Sequence, residues 1–349
     1  MDQLRKMTEN FPKTHYWNDS CDLNELKYSL QRGASGATTN PVIVKQVLEK
    51  NLDLYSDFIT SAIAKDPCAS EDDIAWITME KMASDAAALL KPFFDGEKGK
   101  GRISIQTNPK HFNNAEKLIE QTLHFHTIAP NIQVKIPITK AGLAAIKECT
   151  ARGVSINATV SFSVPQALAA ADQVEKGLKE RRSAGLETMD MDPVITVMAG
   201  RLDDWLKYTC ERDGRNVLPE SLDWAGIACI KKAYRIFSQR NYSSRILVAA
   251  YRHQDHWIQF MGGDLSMTIP YNYQLMFNSS HAEIKSRIDD PVPESFLEQL
   301  MRLDDFKKAY NKMDISEFDS YGPVNKTLDQ FLTGYDELIH IIRKFMITF

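Results

Sequence analysis

One lysine stands inside an apolar segment of the chain, in the tetrapeptide VKIP at residues 134–137. An amine surrounded by apolar residues loses hydration, and this lowers the pKa of a lysine from its usual value of about 10.4. A neutral amine can attack a ketone to form an iminium, which accepts the electrons released when a carbon–carbon bond breaks. The tetrapeptide alone fits a solvent-facing lysine on an edge strand slightly better, so Lys135 becomes a candidate nucleophile only through its neighbours.

Those neighbours are polar residues at the ends of short apolar runs, where a barrel of parallel strands would collect them. Asp19 follows the first run and could exchange a proton with a substrate hydroxyl, since Asp22 is better placed to cap the next helix. Arg201 and Arg252 could bind a phosphate through paired charged hydrogen bonds, although each taken singly is typical of a surface salt bridge. Neutral hydrogen-bonding residues complete the candidate set: Thr38, Asn40, Gln106, Asn157 and Thr159.

Composition excludes several other kinds of protein and site. The formal net charge of −4 provides no basic field for nucleic acid or an anionic membrane. No run reaches the roughly eighteen apolar residues that a membrane-spanning helix needs. The five scattered cysteines are typical of reduced thiols, so we expect a cytoplasmic protein. His253 and His256 form an H-x-x-H pair, but the sequence offers no third ligand of suitable spacing, so we expect no metal.

The elements that must position these residues are short β-rich runs alternating with helical stretches. Several runs lack polar alternation, as expected for parallel strands that are covered on both faces. The predicted strands are 14–18, 36–38, 102–106, 132–136, 155–159, 194–198, 246–250 and 265–269. Eight strands alternating with helices predict an α/β protein that closes as a (β/α)8 TIM barrel. An open doubly wound sheet is the alternative, but no glycine-rich nucleotide motif follows any strand.

The helical stretches carry their own start and stop signals. The segment DLNE at 22–25 resembles a capping box, Ser70 opens a second helix, and Pro92 is expected to end that helix. The interval 39–101 must hold two or three helices, and the tail from 316 to 349 is mostly amphipathic and helical. No composition break or linker divides the chain, so we predict a single domain over residues 1–349.

At this point the motifs resemble those of transaldolases, in the same order and over roughly residues 14 to 270. The matching segments are NDSCD at 18–22, GATTNP at 36–41, VKIP at 134–137, SINAT at 155–159, GRLDDW at 200–205, AAYR at 249–252, GDL at 263–265 and TIP at 268–270. Any one of these segments alone would be a weak signal, and their shared order is what identifies the resemblance.

The resemblance implies a transferase of carbohydrate metabolism of the pentose-phosphate type. It would move a dihydroxyacetone unit from a ketose phosphate, such as fructose 6-phosphate or sedoheptulose 7-phosphate, to an aldose phosphate. Lys135 would form the Schiff base, and Asp19 would transfer protons while the C3–C4 bond breaks. The other implied roles are orientation of the dihydroxyacetone unit by Thr38, Asn40 and Asn157, water placement by Thr159, and phosphate binding by Thr196, Arg201 and Arg252. No cofactor is needed because the lysine is itself the electron sink, and the resemblance is compatible with a homodimer.

Two positions depart from the transaldolase pattern. Gln106 stands where most transaldolases have a glutamate, and a glutamine can position a water but cannot take its proton. The related fructose-6-phosphate aldolases also carry glutamine there, but they have a tyrosine where this chain has Met198 and transaldolases usually have phenylalanine. Two alternatives therefore stay open: an aldolase that releases free dihydroxyacetone, and a catalytically weak paralogue that binds sugar phosphate or a partner protein.

Overall fold

Eight parallel strands form a closed barrel in the computed structural model, which describes residues 2–97 and 99–348. The strands are β1 (Thr14–Asn18), β2 (Gly36–Thr38), β3 (Arg102–Gln106), β4 (Ile132–Pro137), β5 (Ile156–Thr159), β6 (Val194–Met198), β7 (Arg245–Ala249) and β8 (Leu265–Ile269). They pair in chain order, and β8 returns to pair with β1. The predicted (β/α)8 barrel is confirmed. Five of the eight predicted ranges coincide with the observed strands, and the other three differ by one residue at one or both ends.

Helices surround the barrel and follow the strands along the described chain. They are α1 (Gln3–Asn10), α2 (Leu23–Leu30), α3 (Pro41–Lys50), α4 (Leu52–Lys65), α5 (Glu71–Gly96), α6 (Ala115–His126), α7 (Lys140–Ala151), α8 (Val164–Ser183), α9 (Ala199–Arg212), α10 (Pro219–Leu222), α11 (Ala225–Arg240), α12 (Asp255–Ile258), α13 (Tyr271–Ser279), α14 (Glu294–Leu300), α15 (Asp304–Tyr310) and α16 (Gly322–Thr348). Two short 3-10 helices lie at Pro109–His111 and Ile315–Ser320. The interval between β2 and β3 holds three helices, and the C-terminal tail is helical, as predicted.

The prediction that Pro92 ends its helix is wrong. Helix α5 begins with a capping box, in which Ser70 and Asp73 each accept a hydrogen bond from the other's backbone N–H. It then continues through Pro92 to Gly96. Proline removes the N–H that would bond to the carbonyl of Ala88. Both Pro92 and Ala88 lie on the exposed face of the helix, so water can satisfy that carbonyl and the helix continues.

Helix α2 has half of its predicted capping box. The side chain of Asp22 accepts hydrogen bonds from the backbone N–H groups of Asn24 and Glu25. The Glu25 carboxylate instead receives a hydrogen bond from the Lys50 amine at 3.0 Å. Because Asp22 caps the helix, the carboxylate of Asp19 is left available for another purpose, as the sequence indicated.

The barrel is filled with packed side chains. The large apolar core lies between the strands and the surrounding helices, while a smaller cluster of buried apolar side chains comes from β1, β6 and β7: Trp17, Val194 and Leu247. A Cβ atom at Gly36 would lie 2.7 Å from the Trp17 indole, so glycine on β2 leaves room for this ring. Among residues 2–97 and 99–348, none of the helices combines the length and apolar character needed to cross a lipid bilayer.

Candidate active site

Lys135 on β4 is buried in the closed barrel, with a relative exposure of 4%. Its Nζ donates a hydrogen bond to the carbonyl oxygen of Thr39 at 3.1 Å. Burial lowers the pKa of Lys135, the Asp19 carboxylate opposes this effect, and the positive charge of Arg201 adds to it; the resulting pKa is about 8. A substantial fraction of the amine is therefore uncharged in mildly alkaline water. The alternative of a solvent-facing lysine on an edge strand is wrong.

Asp19 lies just beyond β1, and two threonines orient its carboxylate. Thr38 Oγ1 donates to Asp19 Oδ1 at 2.7 Å, and Thr268 Oγ1 lies 2.5 Å from Thr38 Oγ1. Since a hydroxyl has one hydrogen to donate, Thr268 must be the donor in the second contact. Burial raises the pKa of Asp19, and the positive charge of Lys135 and the Thr38 hydrogen bond partly offset that rise. The carboxylate is thus fixed in direction and made more basic than a solvated aspartate.

A cavity of about 460 Å³ brings the candidate residues together. Six of the ten predicted site residues line it: Asp19, Asn40, Lys135, Thr196, Arg201 and Arg252. The other four are in contact with this set or lie beside it on neighbouring strands. Thr38 bonds to Asp19, Asn157 bonds to Thr196, Gln106 is the β3 partner of Lys135, and Thr159 pairs with Pro137 on β4.

Two buried oxygen atoms on β3 and β5, the strands that flank β4, are free to accept hydrogen bonds. Gln106 Oε1 and Thr159 Oγ1 have no hydrogen-bond partner among the described residues. A buried polar atom without a partner costs about 1–3 kcal/mol, so such atoms usually bind water or a ligand. Gln106 and Thr159 are therefore suited to bind a water molecule or a ligand.

Thr196 differs from the role that the resemblance implies. Its hydroxyl donates to Asn157 Oδ1 at 2.6 Å, and Asn157 Nδ2 donates to Ser104 Oγ at 3.0 Å. The single hydroxyl hydrogen of Thr196 is thereby used, so in this arrangement Thr196 fixes the Asn157 amide and does not donate to a phosphate. Asn40 caps α3 by accepting from the N–H of Ile43 at 3.1 Å, which leaves its amide hydrogens available.

The two arginines of the cavity are both held by partners distant in sequence. Arg201 on α9 donates to Gln330 Oε1, and its guanidinium lies 5.6 Å from the ring centre of Phe331 on α16. Burial and, to a smaller extent, the positive charge of Arg252 lower the pKa of Arg201, which is about 10. Arg252 donates through Nε and Nη2 to Asp204 Oδ2 at 2.9 and 2.7 Å. No local sequence pattern indicated either of these partners.

The histidine pair has a third companion that sequence reasoning missed. Asp203, His253 and His256 present ligand atoms within 4.8 Å of one another. No local spacing links Asp203 to the histidine pair, because Asp203 lies on α9, fifty residues before His253. The expectation of no metal stays a prediction, although both nitrogen atoms of His256 and Nε2 of His253 already take part in hydrogen bonds.

The family model for Transaldolase/Fructose-6-phosphate aldolase matches residues 16–321 of this chain. The chain belongs to this family. It is 30% identical over 206 residues to a transaldolase of Mycobacterium bovis, in a match covering 58% of this chain and 55% of that protein. It is also 29% identical over 210 residues to Transaldolase 2 of Streptomyces avermitilis, covering 59% of this chain and 56% of that protein. The chain thus matches little more than half the length of these curated relatives.

Membership of the transaldolase/fructose-6-phosphate aldolase family confirms the resemblance that the order of the motifs indicated. It also makes the two departures from the transaldolase pattern, at Gln106 and Met198, easier to interpret. Met198 lines the cavity with a thioether, which is only a weak hydrogen-bond acceptor. Gln106 is buried but cannot ionise. Neither of these two side chains can therefore take up a proton.

Proposed function

We propose that this protein captures a ketose phosphate on Lys135 and transfers its dihydroxyacetone unit to an aldose phosphate. One observation carries the proposal: the buried amine of Lys135 shares a cavity with the Asp19 carboxylate and the guanidinium groups of Arg201 and Arg252. These groups supply a nucleophile, a general base and two cationic anchors, which are what Schiff-base cleavage of a sugar phosphate requires.

The chemistry follows from these positions. The neutral amine of Lys135 adds to the C2 carbonyl of the ketose, and loss of water leaves a protonated imine. Asp19 takes the proton from the C4 hydroxyl while the C3–C4 bond breaks, and the bonding electron pair moves into the imine to form an enamine. The shortened aldehyde leaves, and the enamine adds to an acceptor aldehyde as Asp19 returns the proton. Water then releases the new ketose from Lys135.

The remaining residues support this reaction by orientation. Thr38 aims the Asp19 carboxylate, and Thr196 aims the amide of Asn157 towards the dihydroxyacetone unit, with Asn40 as a further donor. Gln106 and Thr159 have the unpartnered oxygens that would hold the water exchanged at the imine. This arrangement supports catalysis by pre-positioned groups, in which little reorganisation is needed at the moment of reaction.

Replacing Arg252 with alanine should selectively weaken the binding of phosphorylated substrates. Hydrogen bonds to charged groups contribute about 1.5–3 kcal/mol, so we expect the KM for fructose 6-phosphate to rise about 10- to 100-fold. Reductive trapping of free dihydroxyacetone on the protein should change less than about twofold. Arg212→Ala is the matched control, because Arg212 ends the same helix as Arg201 and pairs with Asp213 in solvent. Equal losses with both ligands would exclude phosphate binding by Arg252.

Gln106 favours a second candidate function, an aldolase that releases free dihydroxyacetone. Glutamine can hold the hydrolytic water but cannot ionise, so the balance between hydrolysis and transfer depends on how well that water is held. We expect fructose 6-phosphate to yield dihydroxyacetone slowly when supplied alone, and transfer to dominate when an acceptor aldehyde is added. The measurement is a product assay with and without the acceptor. No free dihydroxyacetone with fructose 6-phosphate alone would reject the aldolase, and its rapid release in the presence of acceptor would reject the transferase.

The third alternative, a catalytically weak paralogue that binds sugar phosphate or a partner protein, predicts ligand binding without covalent capture. The trapping experiment with Lys135 described in the Discussion separates it from both enzymes. A single domain over residues 1–349, a cytoplasmic location and a homodimer stay predictions.

A further inference from the structure

Arg252 lies in a loop whose backbone is fixed by hydrogen bonds with residues outside the loop. Ala250 has a φ of 64°, in the left-handed region that non-glycine residues rarely adopt. Such a conformation persists only where surrounding contacts enforce it. One contact comes from α9, where the N–H of Gly200 donates to the Ala250 carbonyl at 2.9 Å. The approach is close, because a Cβ atom at Gly200 would lie 2.3 Å from that oxygen and 2.5 Å from Cγ of Arg252.

The second contact is a buried chain of hydrogen bonds that ends on Arg252 itself. The backbone N–H of Arg252 donates to His256 Nδ1 at 3.1 Å. His256 Nε2 lies 2.8 Å from Asp203 Oδ2, and Asp203 Oδ1 accepts from the N–H of Gly226 at 2.8 Å. The side chains of Asp203 and His256 are completely buried. The loop is thus tied through His256 and Asp203 to the start of α11.

The chain of bonds fixes which nitrogen of His256 carries the proton. A backbone N–H can only donate, so Nδ1 must be the acceptor and the hydrogen of the neutral ring must lie on Nε2. That hydrogen is donated to the Asp203 carboxylate, which therefore selects the tautomer that Arg252 needs. A carboxylate that orients a histidine in this way controls the group on the other side of the ring.

We propose that Asp203 and His256 are positioning residues that set the backbone of Arg252, and through it the preference of the cavity for phosphorylated keto sugars. This inference rests on the proposed function, in which Arg252 binds the phosphate. Helix α9 then contributes to the proposed phosphate site in three ways. Arg201 lines the cavity, Asp204 pairs with the Arg252 guanidinium, and Asp203 acts on the Arg252 backbone through His256.

A metal site built from Asp203, His253 and His256 is the competing interpretation of this cluster. A metal binds the lone pair of an imidazole nitrogen. His253 Nε2 lies 3.1 Å from the carbonyl oxygen of Asp223, which can only accept, so this nitrogen carries a hydrogen. His256 has Nε2 engaged with Asp203 and Nδ1 engaged with Arg252. The hydrogen-bond arrangement accounts for each of these atoms without an ion.

Two substitutions of His256 test which of its ring nitrogens is needed. Asparagine places an acceptor oxygen near the position of Nδ1, so His256→Asn retains the bond from Arg252 and loses the one to Asp203. Glutamine places its amide near the position of Nε2, so His256→Gln retains the partner of Asp203 and loses the acceptor for Arg252. We expect His256→Gln to raise the KM for fructose 6-phosphate about tenfold with kcat changed less than about twofold, and His256→Asn to restore most of that loss.

Asp203→Asn provides an independent variant if His256→Gln does not fold. Its amide oxygen can still accept from Gly226, but its NH2 group faces His256 Nε2 and drives the ring hydrogen to Nδ1, against the N–H of Arg252. We expect the same tenfold rise in KM. His253→Gln is the matched control, because His253 Nε2 donates to the Asp223 carbonyl and lies 3.9 Å from Asp203 Oδ2. It should stay within about twofold of the parent protein.

Trapping free dihydroxyacetone with borohydride completes the test. The parent and all four variants should form this adduct at rates within about twofold of one another, because the ligand has no phosphate. An equal loss with dihydroxyacetone and fructose 6-phosphate would overturn the inference, as would an unchanged KM in His256→Gln and Asp203→Asn. Stoichiometric zinc in the purified protein that disappears in Asp203→Asn would also overturn it. If the parent forms no adduct with either ligand, the proposed function itself fails.

Discussion

Replacing Lys135 with methionine should abolish covalent capture of a keto sugar and lower turnover by at least about 10⁴-fold. Methionine has a similar length and no amine, and it suits a side chain that is only 4% exposed, so the fold should be retained. The measurement is borohydride reduction with fructose 6-phosphate, followed by mass mapping of the peptides. The parent protein should carry a dihydroxyacetone-derived adduct on the peptide that contains Lys135, and the variant should carry none.

The control for this experiment is Lys140→Met, at the exposed start of α7 and five residues further along the chain. The adduct on Lys135 should be unchanged in this variant, since Lys140 is exposed and, of the two lysines, Lys135 lines the cavity. An adduct on Lys140 or on any other lysine in place of Lys135 would overturn the assignment. Ligand binding with no adduct on the parent protein would instead support the catalytically weak paralogue.

The pH dependence of trapping tests the same amine. Only the deprotonated form of Lys135 attacks the carbonyl, and its pKa is lowered to about 8. The rate of adduct formation should therefore rise with increasing pH and level off above about 8. An amine of ordinary pKa would give a rate that still rises steeply above pH 9, which would contradict the effect of burial.

Replacing Asp19 with asparagine should stop the reaction after capture. The amine of Lys135 remains, so fructose 6-phosphate should still form an imine, but no carboxylate can take the C4 hydroxyl proton. We expect cleavage of the C3–C4 bond to slow by about 10²- to 10⁴-fold. Borohydride should then trap a six-carbon phosphorylated adduct on the Lys135 peptide in place of the three-carbon adduct. The asparagine oxygen can still accept from Thr38, which should preserve the local structure.

Asp22→Asn is the matched control, because Asp22 is the neighbouring buried carboxylate and caps α2. Asparagine is also a good cap, so any change should be confined to stability, of about 1 kcal/mol or less. The adduct in this variant should keep three carbons. A three-carbon adduct formed at the parent rate in Asp19→Asn would show that another group takes the proton.

The sequence predicted the barrel well because its signals are local. Each strand is a short β-rich run separated from the next by a helical stretch, and the order of strands and helices is enough to indicate the topology. The capping residue Ser70 was found for the same reason, since Ser70 and Asp73 are only three residues apart. Pro92 was misjudged because its effect depends on the burial of the helix face around it, which composition does not encode.

The candidate residues were identified from sequence, but the hydrogen bonds between them were not. Arg252 and Asp204 are separated by 48 residues, and Arg201 and Gln330 by 129. Such pairs meet only when the barrel closes and α16 packs against it. For Thr196, the resemblance implied phosphate binding, whereas the fold decided that its one hydrogen goes to Asn157.

What the sequence determined by itself is therefore the set of chemical groups and the strand ends that carry them, including an amine in an apolar strand and a carboxylate not needed as a cap. What only the tertiary structure decided is the environment of each group: the lowered pKa of Lys135, the raised pKa of Asp19, and the partners of Arg201, Arg252 and His256. The physical reason is that residue type and periodicity are properties of neighbouring positions. Desolvation and hydrogen-bond direction instead depend on atoms contributed from distant parts of the chain.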